Sequence, residues 1–133
     1  MAAPRLVSVI VATRDRPQLL SEALASIRAV EGPDLKFEIL VGDNGGLPES
    51  REVAERFGAI YQYTSKNGCP APRNLAMSRA TGEFIAFLDD DDVWLPAHIR
   101  THIEVLDAHP EFAGAFGQII STDPDLTPLN EPW

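Results

Sequence analysis

The stretch Phe84–Trp94, FIAFLDDDDVW, limits the fold more than any other part of the chain. Apolar residues from Phe84 to Leu88 run straight into four consecutive aspartates. A short apolar run of this density reads as a strand buried on both faces of a parallel sheet, predicted over Glu83–Leu88. The four carboxylates cannot be packing residues, because burying even one unpaired charge is costly. They need water or a cation. In open α/β sheets, ligands bind in the crevice at the carboxyl ends of the strands, and that is where these acids fall. Along an extended chain Asp89 and Asp91 point one way and Asp90 the other. A D-x-D pair of this kind offers two hard oxygen donors to one Mg²⁺ or Mn²⁺. The bland alternative is a solvated turn with helix-capping duty before Pro96, and Asp92 is assigned to the turn or the cap.

The remaining elements follow from periodicity and punctuation. Leu6–Ala12 is β-branched and apolar and predicts a first buried strand. The polar turn Thr13-Arg14-Asp15-Arg16-Pro17 follows, with Asp15 suited to an N-cap and Pro17 to the first helical turn. Leu20, Leu24 and Ile27 recur at helical spacing, and Gly32-Pro33-Asp34 ends that helix. Phe37–Val41 predicts a second strand, closing in Gly42-Asp43-Asn44-Gly45-Gly46, where glycine lets backbone approach a ligand. A short helix over Pro48–Phe57, a strand over Ala59–Tyr63, a loop over Ser65–Pro72 and a helix over Arg73–Ala80 come next. Beyond the aspartates, Pro96 opens a helix with Ile99, Ile103 and Leu106 on one face. Phe112–Ile120 predicts a further strand, and Ser121–Trp133 an irregular tail. Such alternation implies a Rossmann-like α/β fold, with a mostly parallel sheet and helices on both faces.

The 133 residues suffice for one domain with a real core. With 20 acids against 11 bases the net charge is −9, which argues against nucleic-acid binding through phosphate neutralisation. A phosphate ester would be repelled by this surface unless a metal or a few placed arginines intervened. No apolar stretch approaches the roughly 18 residues of a membrane span, and a cytoplasmic setting is the expectation. The single cysteine, Cys69, leaves no internal disulfide framework and has no partner base nearby.

Other chemistry is weaker. Asp89-x-Asp91 after an apolar strand also fits the nucleophile motif of haloacid-dehalogenase-type phosphatases. That chemistry wants a later lysine, and none follows Lys66. His98 and His102 share one helical face, but HIRTH lacks the glutamate of H-E-x-x-H, so they read as solvated-face residues. Dinucleotide and P-loop fingerprints are absent.

Three segments in order, VSVIVATRDRPQLLSEALASI, FEILVGDNGG and NGCPAPRNLAMSRATGEFIAFLDDDDVWLP, resemble the nucleotide-binding half of family 2 glycosyltransferases of the GT-A fold. The resemblance implies a metal-dependent transfer of a sugar from a nucleotide-diphospho-sugar, a UDP-sugar first among them, to an unknown acceptor. It implies that Ala12, Thr13 and Arg14 line the nucleoside pocket and that Asp43 faces the base. On the same resemblance Arg73, matching the arginine of the family's A-R-N motif, is expected near the nucleotide and Asp90 by the ribose. The resemblance makes Asp91 the main ligand of Mn²⁺ or Mg²⁺, with Asp89 beside it. The family commonly has Pro-Thr-Tyr-Asn where this chain has Ala12-Thr13-Arg14-Asp15, and Asp-Asp-Gly-Ser at Asp43-Asn44-Gly45-Gly46. The reaction is expected to invert configuration, which needs a carboxylate base. Asp123, Asp125 and Glu131 are available, yet none sits in the family's base motif. Residues 1–120 are therefore expected to form the donor-binding domain and 121–133 the start of an acceptor-binding half. On that expectation the chain alone is inactive. A non-catalytic nucleotide- or metal-binding fragment is the alternative.

Overall fold

The computed structural model describes residues 2–132. Its strands are β1 (Arg5–Thr13), β2 (Leu35–Asp43), β3 (Ile60–Tyr63) and β4 (Phe84–Phe87), and its helices α1 (Pro17–Val30), α2 (Pro48–Arg56), α3 (Pro70–Met77) and α4 (His98–Ala108). Two compact units divide between Leu95 and Pro96.

The first unit is built on one parallel sheet in the order β3-β2-β1-β4. β1 and β2 are its spine, in register from Arg5↔Leu35 to Thr13↔Asp43. Their Val, Ile and Leu side chains are buried, as a central pair of parallel strands requires. The chain lays β2 and then β3 on one side of β1, and returns to place β4 on the other. The strand order therefore reverses between β1 and β4, and the crevice above their carboxyl ends is the switch point where α/β sheets bind ligands.

Helices cover both faces. On one, Ile10 and Leu40 cluster with Ala76 of α3. On the other, Phe37 meets the Trp94 indole at 5.6 Å between centroids, while the Trp94 backbone N–H donates to Ser26 Oγ of α1 at 3.0 Å. The stripe Leu20, Ala23, Leu24, Ile27 and Val30 buries the inner face of α1. Each buried leucine or isoleucine there contributes about 1.5–3 kcal/mol relative to exposure. A polar stitch also joins the strands. Glu38 of β2 accepts the Ser8 hydroxyl at 2.7 Å and the Thr81 backbone N–H at 2.8 Å. Burial raises the Glu38 carboxyl, but the Ser8 and Thr81 hydrogen bonds outweigh it and hold the group below its usual range.

The structure departs from the sequence reading in three elements. β4 is the edge strand, not a strand buried on both faces, and its Ile85 and Phe87 are 48% and 55% exposed. The span Phe112–Ile120 forms no strand. Gly114 and Gly117 interrupt it, and Phe116 is 97% exposed. α3 begins at Pro70 rather than Arg73, because Pro70 suits its first turn. In the second unit the tail is ordered by Asp123, whose Oδ1 accepts the backbone N–H groups of Asp125 and Thr127, each at 2.9 Å. Among the described residues no helix is long and apolar enough to cross a membrane.

One glycine sets the spacing of α3 on the sheet. A Cβ at Gly42 would lie 1.9 Å from the Pro72 carbonyl oxygen, so no side chain fits between β2 and the start of α3. Gly46 faces open space. Gly42→Ala should cost about 3 kcal/mol or more of unfolding free energy, as overpacking against backbone cannot relax cheaply. Gly46→Ala should stay within about 0.5 kcal/mol of the parent. Urea denaturation of the two variants checks both, and equal stabilities would contradict the packing role of Gly42.

Candidate metal and nucleotide site at the strand ends

The aspartates after β4 do not continue the strand. The Asp92 N–H donates to the Asp89 carbonyl at 3.1 Å and closes a turn. Strand alternation is therefore not what groups Asp89 with Asp91. The turn does so, and it brings in Asp92 as well. One carboxylate oxygen from each of Asp89, Asp91 and Asp92 lies within 4.8 Å of the others, and all three residues are exposed. Of the two roles expected for Asp92, the turn is observed and the cap is not, since α4 starts at His98 with Ala97 at its N-cap. Three oxygen donors on one turn are the donor set that a hard divalent cation prefers, so the residues fit Mg²⁺ or Mn²⁺. Burial raises the Asp92 carboxyl, and the neighbouring Asp91, Asp89 and Asp90 charges push it further up.

Asp90 turns the other way and is 1% exposed. Its Oδ2 accepts the Thr13 hydroxyl at 2.8 Å and Arg16 Nε at 3.2 Å, while Oδ1 accepts Arg16 Nη2. Burial raises the Asp90 carboxyl, and Thr13 and Arg16 oppose that shift. The same guanidinium reaches Asp91, with Nη1 3.2 Å from Oδ2. Arg16 thus spans the switch point, from the β1–α1 loop to the acidic turn. On the far side of the turn, Arg73 of α3 donates to Asp89 Oδ1 at 2.9 Å. The acidic turn is held between two arginines.

The neighbouring strand ends are tied together by further carboxylates. Asp15 adopts a left-handed backbone, φ 54°, a region that Asp tolerates better than most residues. It does not cap α1, whose N-cap is Arg16 with no side-chain cap bond. Its Oδ1 instead accepts the Gly46 N–H at 2.8 Å, joining the β1–α1 and β2–α2 loops. Asp43 is also 1% exposed. Its Oδ1 accepts the Gly45 N–H at 2.7 Å and its Oδ2 the Tyr61 hydroxyl at 2.6 Å. Burial and the Asp43 carboxylate push the Tyr61 hydroxyl well above its usual range, so it remains a donor. Beside this loop, at the end of β3, a cavity of about 580 Å³ opens among Thr64, Lys66, Asn67 and Asn74.

The expected site residues therefore fall along one edge of the first unit. Thr13, Asp43 and Asp90 are buried, Ala12 and Arg73 are half-buried, and Arg14, Asp89 and Asp91 are exposed. The sequence reading assigns no site role to Arg16 or Tyr61, and places Asp92 in the turn and not among the metal ligands. TRDRP offers two arginines, and only the left-handed turn at Asp15 decides which one meets the aspartates. Cys69 is exposed. His98 and His102 face each other with ring centroids 4.3 Å apart, and no third ligand joins them among the described residues.

An acidic turn at the switch point of a parallel sheet, flanked by arginines, places the ligand edge of an α/β protein at its strand ends. The profile of Glycosyl transferase family 2 matches residues 8–132, and the chain belongs to that family. It is 32% identical over 124 residues to a GalNAc(5)-diNAcBac-PP-undecaprenol beta-1,3-glucosyltransferase of Campylobacter jejuni, covering 88% of this chain and 38% of the relative. It is 29% identical over 108 residues to the poly(ribitol-phosphate) beta-N-acetylglucosaminyltransferase TarS of Staphylococcus aureus, covering 77% of this chain and 19% of TarS. A crystal structure of TarS residues 1–349 with UDP-GlcNAc superposes with a TM-score of 0.70 at 27% identity, over 78% of this chain and 32% of that one. The fold is also that of a Pyrobaculum calidifontis mannosyltransferase solved with GDP-Man and Mn²⁺, TM-score 0.64 at 23% identity, over 80% of this chain and 33% of that one. The chain spans less than half the length of these relatives.

The crowded acids predict a pH signature. A carboxyl raised on folding leaves stability intact below its ordinary value and costs stability as pH rises through the folded value. Asp92→Asn should therefore stabilise the metal-free protein at pH 7. The gain should be under about 1 kcal/mol, because the group is exposed. It should vanish as the pH falls below the ordinary Asp value of 3.8. Denaturation in the presence of a chelator at pH 3.5 and pH 7 measures both limits, and a lower stability of the variant at pH 7 would contradict the repulsion.

Proposed function

We propose that this chain carries the donor-binding part of a metal-dependent family 2 glycosyltransferase that takes a nucleotide-diphospho-sugar, a UDP-sugar first among candidates. The observation that supports it most directly is the layout of the strand ends. A cavity lies at the end of β3, the Asp43 loop at β2, Thr13 at β1 and the acidic turn at β4. With neighbouring strands about 4.8 Å apart, this row spans about 14 Å. That length is comparable with an extended nucleoside diphosphate. The nucleoside lies toward β3 and β2, past Ala12, Thr13 and Arg14, and the diphosphate toward β4.

Asp91 and Asp89, joined by Asp92, would hold Mn²⁺ or Mg²⁺. When bound, the cation supplies a Lewis acid that stabilises the charge developing on the departing nucleoside diphosphate. The chain's own residues do the rest. Arg73, half-exposed beside Asp89, places a guanidinium where diphosphate oxygens arrive. Asp43 and Asp90, expected at the base and the ribose, act here from behind the surface. Asp43 fixes the β2–α2 loop through Gly45 and Tyr61, and Asp90 fixes the acidic turn against Thr13. The transfer inverts configuration, with no general base assigned among the described residues. Asp123, the first carboxylate of the tail, is committed to two backbone N–H groups. The family match removes the motive for the phosphatase reading.

Calorimetric titration of UDP into the chain, with and without Mn²⁺, tests the proposal. Binding should require the metal and should be lost, by at least about 100-fold in affinity, in Asp91→Ala, since a metal ligand is removed. The variant should keep its thermal stability, because the repulsion relieved among the neighbouring carboxylates offsets the weak surface pair with Arg16. Binding of UDP, GDP or dTDP that ignores the metal, or no binding of any of them, would sink the reading.

A further inference from the structure

The arginine that bridges the switch point has more hydrogen-bond donors engaged with acids than a structural tie needs. Arg16 Nε and Nη2 both hold the buried Asp90, a forked arrangement that fixes the guanidinium plane. Its third donor group, Nη1, reaches out to the exposed Asp91 at 3.2 Å. The two contacts differ in kind. The Asp90 pair is anchored, because releasing it would leave a carboxylate unpaired at 1% exposure. The Asp91 pair lies at the surface, with both side chains about half-exposed, 47% and 49%, and is worth little on its own. Asp91 is also one of the three carboxylates whose oxygens converge within 4.8 Å. A cation entering that cluster competes with Arg16 Nη1 for Asp91.

We propose that Arg16 is a positioning residue that couples the cation to the diphosphate. This rests on the donor-binding reading above. In the ligand-free chain Nη1 neutralises Asp91 and steadies the acidic turn. When a divalent cation takes Asp91, Nη1 is released while Nε and Nη2 stay on Asp90. The guanidinium remains at the rim of the crevice with one donor group free, and that group meets a diphosphate oxygen. Arg16 therefore weakens binding of the cation alone and strengthens binding of the nucleoside diphosphate once the cation is in place. A purely structural arginine would change both affinities in the same direction. The exchange also meets a need set by composition. At a net charge of −9, the chain gains from keeping Arg16 and Arg73 paired until an anion arrives.

Two variants test it by isothermal titration of Mn²⁺ without nucleotide and of UDP at saturating Mn²⁺. Arg16→Lys keeps a cation for Asp90 but not the fork that reaches Asp91. Arg16→Gln combined with Asp90→Asn, compared with Asp90→Asn alone, removes the charge without leaving a buried carboxylate unpaired. In both comparisons Mn²⁺ should bind about two- to fivefold more tightly, the range expected on removing an exposed ionic competitor. UDP should bind about tenfold more weakly, the loss of one charge-assisted hydrogen bond. If the parent chain binds Mn²⁺ and UDP and Mn²⁺ affinity in the variants stays level or falls, Arg16 is only structural. If Mn²⁺ tightens and UDP is unchanged, Nη1 does not serve the diphosphate, and the coupling is wrong. If the parent chain binds no UDP with Mn²⁺, the donor-binding reading fails, and this inference fails with it.

Discussion

A carboxylate with almost no access to water decides how the ligand edge of this protein is built. Asp90 sits at the point where the sheet reverses its strand order, and its charge is answered by Thr13 and Arg16 from across that point. Without those partners the charge would be too costly to bury. With them, the turn after β4 is fastened to the loop after β1. The three remaining aspartates then project toward solvent as a group. The geometry of the exposed acids is thus a consequence of the buried one. Burial still raises the Asp90 carboxyl despite both partners, so this fastening is held against a real desolvation cost.

How much of this was legible in the sequence depends on the length scale of the signal. The parallel spine was readable, because LVSVIVA and FEILV are dense in branched apolar residues and few other folds bury two such runs side by side. α1 was readable from the spacing of Leu20, Leu24 and Ile27. Phe112–Ile120 was misread because apolar content alone suggests a strand. Gly114 and Gly117 cost backbone order there, and no neighbouring strand in the described residues pairs with it. β4 was misjudged in degree. Its apolar run is real, but an edge position leaves Ile85 and Phe87 half-covered.

At the site, residue types were legible and their partners were not. The grouping of Asp89 with Asp91 was expected, yet strand alternation was the wrong reason for it. A turn closed by a single backbone hydrogen bond does that, and it recruits Asp92. The glycines at the end of β2 and beyond it divided in a way no composition rule foretells. Gly42, read as room for a ligand, is room for Pro72 of the same chain. Asp15, read as a helix cap, takes a left-handed backbone and holds the adjacent loop through Gly46. Each of these errors concerns which of two nearby groups a side chain meets. That choice is made by the packing of the whole unit, not by the local sequence.

The charge balance turns from an objection into part of the design. A strongly acidic chain is a poor host for a diphosphate, and the four aspartates concentrate the problem where the ligand would sit. Two arginines flank that turn, one from β1's loop and one from α3, and each is already paired with an aspartate. Pairing keeps the turn from repelling itself apart, and the pairs are shallow enough to exchange. The consequence is a site that should favour a cation and an anion arriving together over either one alone. On the proposed reading, a cation would relieve Asp91 and Asp89 of their arginines, and an anion would give those arginines a new partner.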